Sequence, residues 1–191
     1  MVVRYNSRKS LFDSDADVLV NSVNIKGIMG AGIAKEFARR FPEMYKDYRR
    51  ACRKGEVYIY AKFEVYIKDK IKRLKVHEIY DWRPHIWVGA YKGRRILILN
   101  FPTKIYWDLP SDYKIIEAGL RWLRSNIDKL SKELGQEIRK IAMPQLGCNL
   151  GGLKWSKVKE LIEKYFKDHE VEIEVFIYTP RRKSRPGLES K

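Results

Sequence analysis

Two cysteines, three histidines and no long apolar run set the first limits on this chain of 191 residues. Cys52 and Cys148 are too few for a disulfide framework and stand in no metal-ligand spacing, and His77, His85 and His169 form no paired motif. No structural metal is expected. Nowhere do about 18 apolar residues run together, so no bilayer-spanning helix is expected. The amino terminus, Met1-Val2-Val3-Arg4-Tyr5-Asn6, lacks the long apolar core of a secretion signal. A soluble, cytoplasmic protein without a membrane partner is the expectation. Acidic residues are scarce as well, 24 against 40 Lys and Arg, which leaves a formal net charge of +16. That surplus favours a polyanionic partner, because Lys and Arg that neutralise phosphates release condensed counterions. Ion-pair networks, the other common source of a highly charged surface, leave the balance closer to zero.

What is present is a globular balance, 45% hydrophobic and 34% charged, without internal repeats, which fits one domain acting as a monomer. Ala16-Asp17-Val18-Leu19-Val20-Asn21 reads as a short buried strand emptying into a glycine-rich loop. Ile33, Ala34, Phe37, Ala38 and Phe41 then form one apolar helical stripe, and Pro42 starts a second helix through about Cys52, closed by Gly55. From Val57 to Leu99 the pattern turns to short β-like pieces, with turn chemistry at Lys68-Asp69-Lys70 and Tyr91-Lys92-Gly93-Arg94 predicting hairpins. Ile96 to Asn100 reads as a central strand, and Pro102 predicts that Phe101-Pro102-Thr103-Lys104 turns out at its end. Ser111 is the expected N-cap of one long helix carrying Ile116, Leu120, Leu123, Ile127, Leu130 and Leu134 as far as Gly135. A strand from Ile138 to Met143, a helix from about Ser156 and a last strand from Val171 to Tyr178 complete the pattern. The basic stretch in 181–191 is expected to be disordered. Strands alternating with helices imply an α/β layered fold with its ligand site at the carboxyl ends of the strands.

Both glycine-rich loops fall at such ends. The first is Asn21-Ser22-Val23-Asn24-Ile25-Lys26-Gly27-Ile28-Met29-Gly30-Ala31-Gly32-Ile33-Ala34; the second is Pro144-Gln145-Leu146-Gly147-Cys148-Asn149-Leu150-Gly151-Gly152-Leu153. Gly27-x-x-Gly30-x-Gly32 reverses the spacing of a dinucleotide fingerprint and lacks the Gly-Lys-Ser/Thr ending of a P-loop. Neither a Rossmann cofactor nor ATP hydrolysis is favoured. Backbone amides and the start of the following helix could still approach a diphosphate closely. The alternative is that the glycines only permit a tight strand-to-helix turn. Lys104 has a similar pair of readings, a cation on the ligand rim or an ordinary solvated lysine. Asn21 and Asn24 could meet a ligand or cap turns.

Taken together, Asn21 to Asn24, Gly27 to Ala34, Asn100-Phe101-Pro102-Thr103-Lys104 with Trp107, and Pro144 to Trp155 closely resemble the macrodomain family. The match extends over about residues 9 to 178 and is nearest to the branch of the DarG-type antitoxin, a DNA ADP-ribosyl glycohydrolase. The resemblance implies a three-layer α/β/α macrodomain with a central mixed sheet, spanning 1–180. It implies ADP-ribose as ligand with no cofactor, ADP-ribosylated DNA as substrate with the modification on thymidine bases, and a toxin as partner. Carried over by position, Gly30, Ala31, Gly32 and Ile33 with Gly147, Cys148, Asn149 and Leu150 enclose the diphosphate and distal ribose. Asn21, Gly27, Met29, Thr103 and Gly151 complete the ligand-binding set. Asn24 faces the ribose and attached base, and Lys104 stands at the scissile linkage. A lysine beside phosphates keeps its charge and could stabilise a leaving base, whereas a desolvated one could act as nucleophile. Trp107 is the candidate for stacking on a base.

The chain departs from the family pattern at three places. Ser10 stands where many macrodomains carry an acidic residue for adenine, with Asp13, Asp15 and Asp17 as possible substitutes. Asn149 replaces a glycine, which its tolerance of left-handed backbone would allow. Gly151 stands where terminal ADP-ribose glycohydrolases have an aspartate, which argues against their lysine-and-aspartate mechanism. The segment 58–99 is longer than the family needs and is read as an extended β insertion. It holds ten basic residues (Lys62, Lys68, Lys70, Lys72, Arg73, Lys75, Arg83, Lys92, Arg94 and Arg95) against four acidic ones (Glu64, Asp69, Glu78 and Asp81). Tyr80, Trp82, Trp87 and Tyr91 lie among them, a mixture that suits single-stranded nucleic acid unless the rings are strand core. Three classes of function stay open on these grounds: a glycohydrolase, or a hydrolase of small ADP-ribose esters; a non-catalytic ADP-ribose reader; and a basic nucleic-acid-binding module.

Overall fold

Alternation along the strands gives this chain two apolar sheet faces, and two groups of helices cover them. The computed structural model describes residues 3–178, so the expected tail 181–191 lies outside the described residues. In order come β1 (Val3–Asn6), a 3-10 turn (Leu11–Asp13), β2 (Val18–Asn24), α1 (Gly32–Arg40), α2 (Pro42–Arg53), β3 (Tyr58–Lys68), β4 (Ile71–Arg83), β5 (His85–Tyr91), β6 (Arg94–Lys104), α3 (Tyr113–Ser125), α4 (Ile127–Leu134), β7 (Lys140–Pro144), α5 (Trp155–Phe166) and β8 (Glu172–Phe176). One mixed sheet is ordered β1-β8-β7-β2-β6-β5; its pairs are parallel except for β5 against β6. Val18, Val20, Leu97, Leu99 and Phe101 pack with α3, α4 and α5, while Leu19, Ile96 and Ile98 pack with α1 and α2. The result is the three-layer α/β/α arrangement, with the turns after β2, β6 and β7 on one rim.

Local chemistry accounts for the helices that build this rim. Ile115, Ile116, Leu120 and Leu123 of α3 are fully buried, each stabilising the packed state by roughly 1.5–3 kcal/mol. Gly119 lets α3 lie directly on the sheet, since a Cβ there would come within 2.1 Å of the Phe101 ring. Pro42 opens α2 at the first turn, where its missing N–H costs nothing.

Several boundaries differ from the sequence expectation. β6 does not turn out at Pro102 but continues to Lys104, pairing Val23 with Pro102 and Asn24 with Lys104. Its ladder with β5 ends at Asn100 opposite His85, so Pro102 sits where that side of the strand is already an edge. The Trp82 indole N–H bonds the Pro102 carbonyl there at 2.9 Å. The long helix is two helices, broken at Asn126, whose side chain donates to the Trp122 carbonyl at 2.7 Å and competes with helical pairing. Asp112, not Ser111, is the N-cap, accepting from the Lys114 amide, because the Ser111 hydroxyl is used by the Thr103 carbonyl. β1 carries too few apolar residues to stand out in the sequence, and β2 runs three residues further than expected, to Asn24.

Segment 58–99 contains β3 and β4, which form their own two-stranded antiparallel sheet, together with β5 and the first part of β6. Ile59, Ala61, Phe63, Val65 and Ile67 alternate onto one face of β3, and Trp82, Ile79, Val76 and Leu74 meet them from β4. Two register shifts, which leave Tyr80 and His77 as extra residues on β4, keep its apolar side chains on that face.

Candidate functional site

Building the rim starts with β2. Asn21 is buried on the α2 side of the sheet, and its Nδ2 donates to Asn100 Oδ1 of β6 at 2.9 Å. Asn24 closes the strand, and its side chain is committed to the loop that follows. Its Oδ1 accepts from the Lys26 amide at 2.9 Å, its Nδ2 donates to the Ile28 carbonyl at 2.8 Å, and the Tyr48 hydroxyl holds its backbone carbonyl at 2.5 Å. The turn-capping reading of Asn24 is the one this geometry shows. Gly27 supplies a left-handed turn (φ +81°) and Met29 is buried beneath the loop. Gly30 lies open above it, where an added Cβ would meet only Ile28. Ala31 is the N-cap of α1 without a side-chain capping bond, and no acidic residue stands in the first turn, Gly32 to Ala34. An uncapped helix start of this kind is suited to an anion.

The second loop is folded tightly on itself. A Cβ on Gly151 would lie 2.3 Å from the Gly147 carbonyl oxygen, so this close backbone approach requires glycine. The Leu153 amide bonds the Gly147 carbonyl at 3.0 Å, and the Ser111 amide bonds the Gly151 carbonyl at 2.9 Å. Gly147 and Gly152 take the left-handed backbone; Asn149 does not, so its tolerance of that conformation is not used. Burial pushes the Cys148 thiol up to about 11, which makes it a poor nucleophile near neutrality. Asn149 and Leu150 face solvent.

Lys104 joins the two loops. It pairs with Asn24 at the end of β6, and its ammonium donates to the Leu150 carbonyl at 2.8 Å. Gly32 approaches the same residue, since a Cβ there would sit 3.6 Å from Leu150 Cδ1. Desolvation pulls the pKa of half-buried Lys104 below the ordinary lysine value, and Asp108 opposes the shift. Thr103 is buried behind it, its hydroxyl 2.8 Å from that of Ser22. Trp107 is 65% exposed on the following turn. The same turn is tied to the first loop by Lys26, 4.6 Å from the Tyr106 ring, and to the β3–β4 sheet by Lys72, 3.0 Å from Asp108.

Below the rim lies a polar line that the sequence reading missed. Asn100 Nδ2 lies 2.9 Å from His85 Nδ1, and His85 Nε2 lies 2.7 Å from Asp47 Oδ2 on α2. With Asn21 donating to Asn100 Oδ1, the chain of donors puts the His85 proton on Nε2. Among the described residues, Asn21 Oδ1 is buried without a partner. His85 and Asp47 carry no local motif; register alone aligns Asn21, Asn100 and His85 across three strands.

The proposed substitutes for adenine recognition are misplaced. Asp17 accepts from the Arg139 and Lys140 amides at the start of β7, Asp15 pairs with Lys140, and Asp13 pairs with Lys92. All three lie at the amino ends of the strands, opposite the rim. Ser10 caps the 3-10 turn through the Phe12 amide. Of the basic surplus in 58–99, Lys92 and Arg94 also lie at that far end, Arg94 bonding the Ser14 and Ala16 carbonyls. Trp82 is core, packed on Phe101 and Trp122, while Tyr80 is exposed.

A likeness to solved structures decides the family. The macrodomain of Mycobacterium tuberculosis DarG is 34% identical, with 93% of this chain and 98% of that one covered at a TM-score of 0.68. The chain belongs to the macrodomain family. No family model matches it. Among curated proteins, a DNA ADP-ribosyl glycohydrolase of Thermus aquaticus is 35% identical over 173 residues, which are 91% of this chain and 40% of that entire protein. This macrodomain thus spans about 40% of the length of the DNA ADP-ribosyl glycohydrolases it matches. The structure of Thermosipho africanus DarTG in complex with ADP-ribose is 32% identical, covering 93% of this chain and 41% of that one at a TM-score of 0.64.

Proposed function

We propose that this macrodomain binds ADP-ribose between its two glycine loops and hydrolyses the N-glycosidic bond that links it to a nucleobase, that of thymidine, in single-stranded DNA. One observation carries the reading: Lys104 is held half-desolvated between the loops, on the Leu150 carbonyl, where it can reach a group attached to a ligand clamped by both. The amides of Gly30 to Ile33 and of the 147–151 turn take the diphosphate and distal ribose, fixing the anomeric carbon. Asn24 acts on the ligand through the loop it braces. Lys104 stabilises the departing base as an ammonium; water adds to the anomeric carbon, the carbon–nitrogen bond breaks, and the base takes a proton. Water is the only co-reactant, and no cofactor is needed. The mark it removes would be written by a DNA ADP-ribosyl transferase, the toxin in such a pair, acting in the cytoplasm. Trp107 and the outer face of the β3–β4 sheet, with Tyr60, Tyr66, Arg73 and Lys75, receive the flanking strand.

The test is release of ADP-ribose from a thymidine-ADP-ribosylated oligonucleotide. Wild type should release it, and Lys104→Ala should lose at least about a hundredfold in rate while still binding ADP-ribose. Binding without release in wild type makes the protein a reader. A borohydride-trapped adduct on Lys104 would replace the ammonium role with a nucleophilic one.

A further inference from the structure

We propose that β3 is a dimerisation strand, along which two copies of this chain pair antiparallel about a two-fold axis at Phe63. β3 has one hydrogen-bonded neighbour, β4, and its other edge carries no strand among the described residues. Eleven residues is long for an open edge, the kind that natural proteins blunt or cover. β4 is blunted: it carries both register shifts, packs on α3, and has its His77 carbonyl taken by Lys114. β3 carries no extra residue, its charges are Lys62, Glu64 and Lys68, and its apolar face emerges from the core toward the tip, with Phe63 36%, Val65 48% and Ile67 73% exposed.

What identifies the occupant is the order of residues in β3. Read outward from Phe63, each position finds its complement at equal distance on the other side: Lys62 and Glu64, Ala61 and Val65, Tyr60 and Tyr66, Ile59 and Ile67. Antiparallel pairing of two identical strands through Phe63 sets those residues directly opposite one another, on the same face. The Lys62–Glu64 pair then forms twice, and apolar residues meet apolar ones. Within one chain Glu64 lies 3.3 Å from His77 Nε2, which makes no hydrogen bond, so its carboxylate is open to a better partner. An isologous interface of this kind needs a self-complementary patch, and β3 is one.

The charge of +16 per chain makes the two copies repel, so pairing should tighten as salt is added, opposite to the salt response of DNA binding. Sedimentation of the chain from about 1 to about 100 µM should show a monomer–dimer equilibrium that shifts toward dimer at high salt. Glu64→Lys and Lys62→Glu each set like charges opposite one another and should weaken self-association at least about tenfold. Mixed together, the two variants are complementary and should form a heterodimer. A wild-type chain that remains monomeric throughout, association that appears only with added oligonucleotide, or folded variants that fail to pair when mixed would each overturn the proposal.

Discussion

The two ends of the central sheet are built from the same residue types and treat them in opposite ways. At the amino ends Asp17, Lys140 and Arg94 close on the protein itself. Asp17 accepts from two backbone amides and the Gln136 side chain, Lys140 lies between Asp15 at 2.7 Å and Glu174 at 3.5 Å, and Arg94 bonds two carbonyls. At the carboxyl ends the partners are incomplete. Among the described residues, Lys104 has one backbone acceptor and Asn21 Oδ1 has none, and the first turn of α1 is uncapped. Burial lowers the pKa of both lysines to begin with; Asp15 and Glu174 reverse the shift at Lys140, whereas Asp108 does not at Lys104. Groups satisfied by the protein hold the fold together, and groups left short of partners are free to meet a ligand.

Substitutions at the two ends should therefore separate binding from stability. The largest effect belongs to Gly151→Ala. Its Cβ would collide with the Gly147 carbonyl, so the second loop must open, and calorimetry should find ADP-ribose affinity reduced by at least about a hundredfold in a chain that circular dichroism shows folded. Unchanged affinity would remove the second loop from the site. At the other end, Asp17→Ala leaves the Arg139 and Lys140 amides without their acceptor and should cost about 2 kcal/mol in urea unfolding. ADP-ribose affinity of the folded variant should stay at the wild-type value; a parallel loss would mean that the two ends are not independent.

Legibility followed the same division. Both loops were visible because glycine spacing is local, and α1, α2 and α5 because their apolar stripes are regular. Lys104 was legible from its motif, but its bond to Leu150 joins residues 46 apart in sequence and depends on the fold. Pro102 misled because its effect depends on whether β5 still flanks the strand at that point, which sequence does not state. Asp13, Asp15 and Asp17 lie near Ser10 in sequence, yet the chain crosses from the carboxyl end of the sheet to the amino end between Asn6 and the start of β2 at Val18. Asn24 was read toward the ligand, while its short amide bonds its own loop, a local competition that Asn commonly wins.

The smallest effect expected is a difference in pH response between the two ends. Burial lowers the His85 pKa below its ordinary 6.5, with the Asp47 hydrogen bond opposing; Arg50 and Glu56 are the other charges that act on it. Burial works against ionised Asp47 too, but His85 and Arg50 outweigh it and hold its pKa below the ordinary carboxylate value. A histidine whose pKa is lowered by folding gives stability that is complete above the unfolded value. As pH falls below 6.5 the unfolded chain takes up the proton first, and stability declines by at most about 1.4 kcal/mol per pH unit. Asp15 at the amino end, drawn down by the Lys140 hydrogen bond, keeps its contribution above the ordinary 3.8 and loses it only in stronger acid. Urea midpoints at about pH 7.5 and about pH 5.5 should therefore fall for wild type and fall less for His85→Gln, the remainder coming from His169, whose pKa burial and Arg124 also lower, while Asp15→Asn keeps the wild-type slope. A slope that His85→Gln leaves unchanged would place the acid-sensitive group elsewhere and leave the line from Asp47 to Asn21 a purely structural brace.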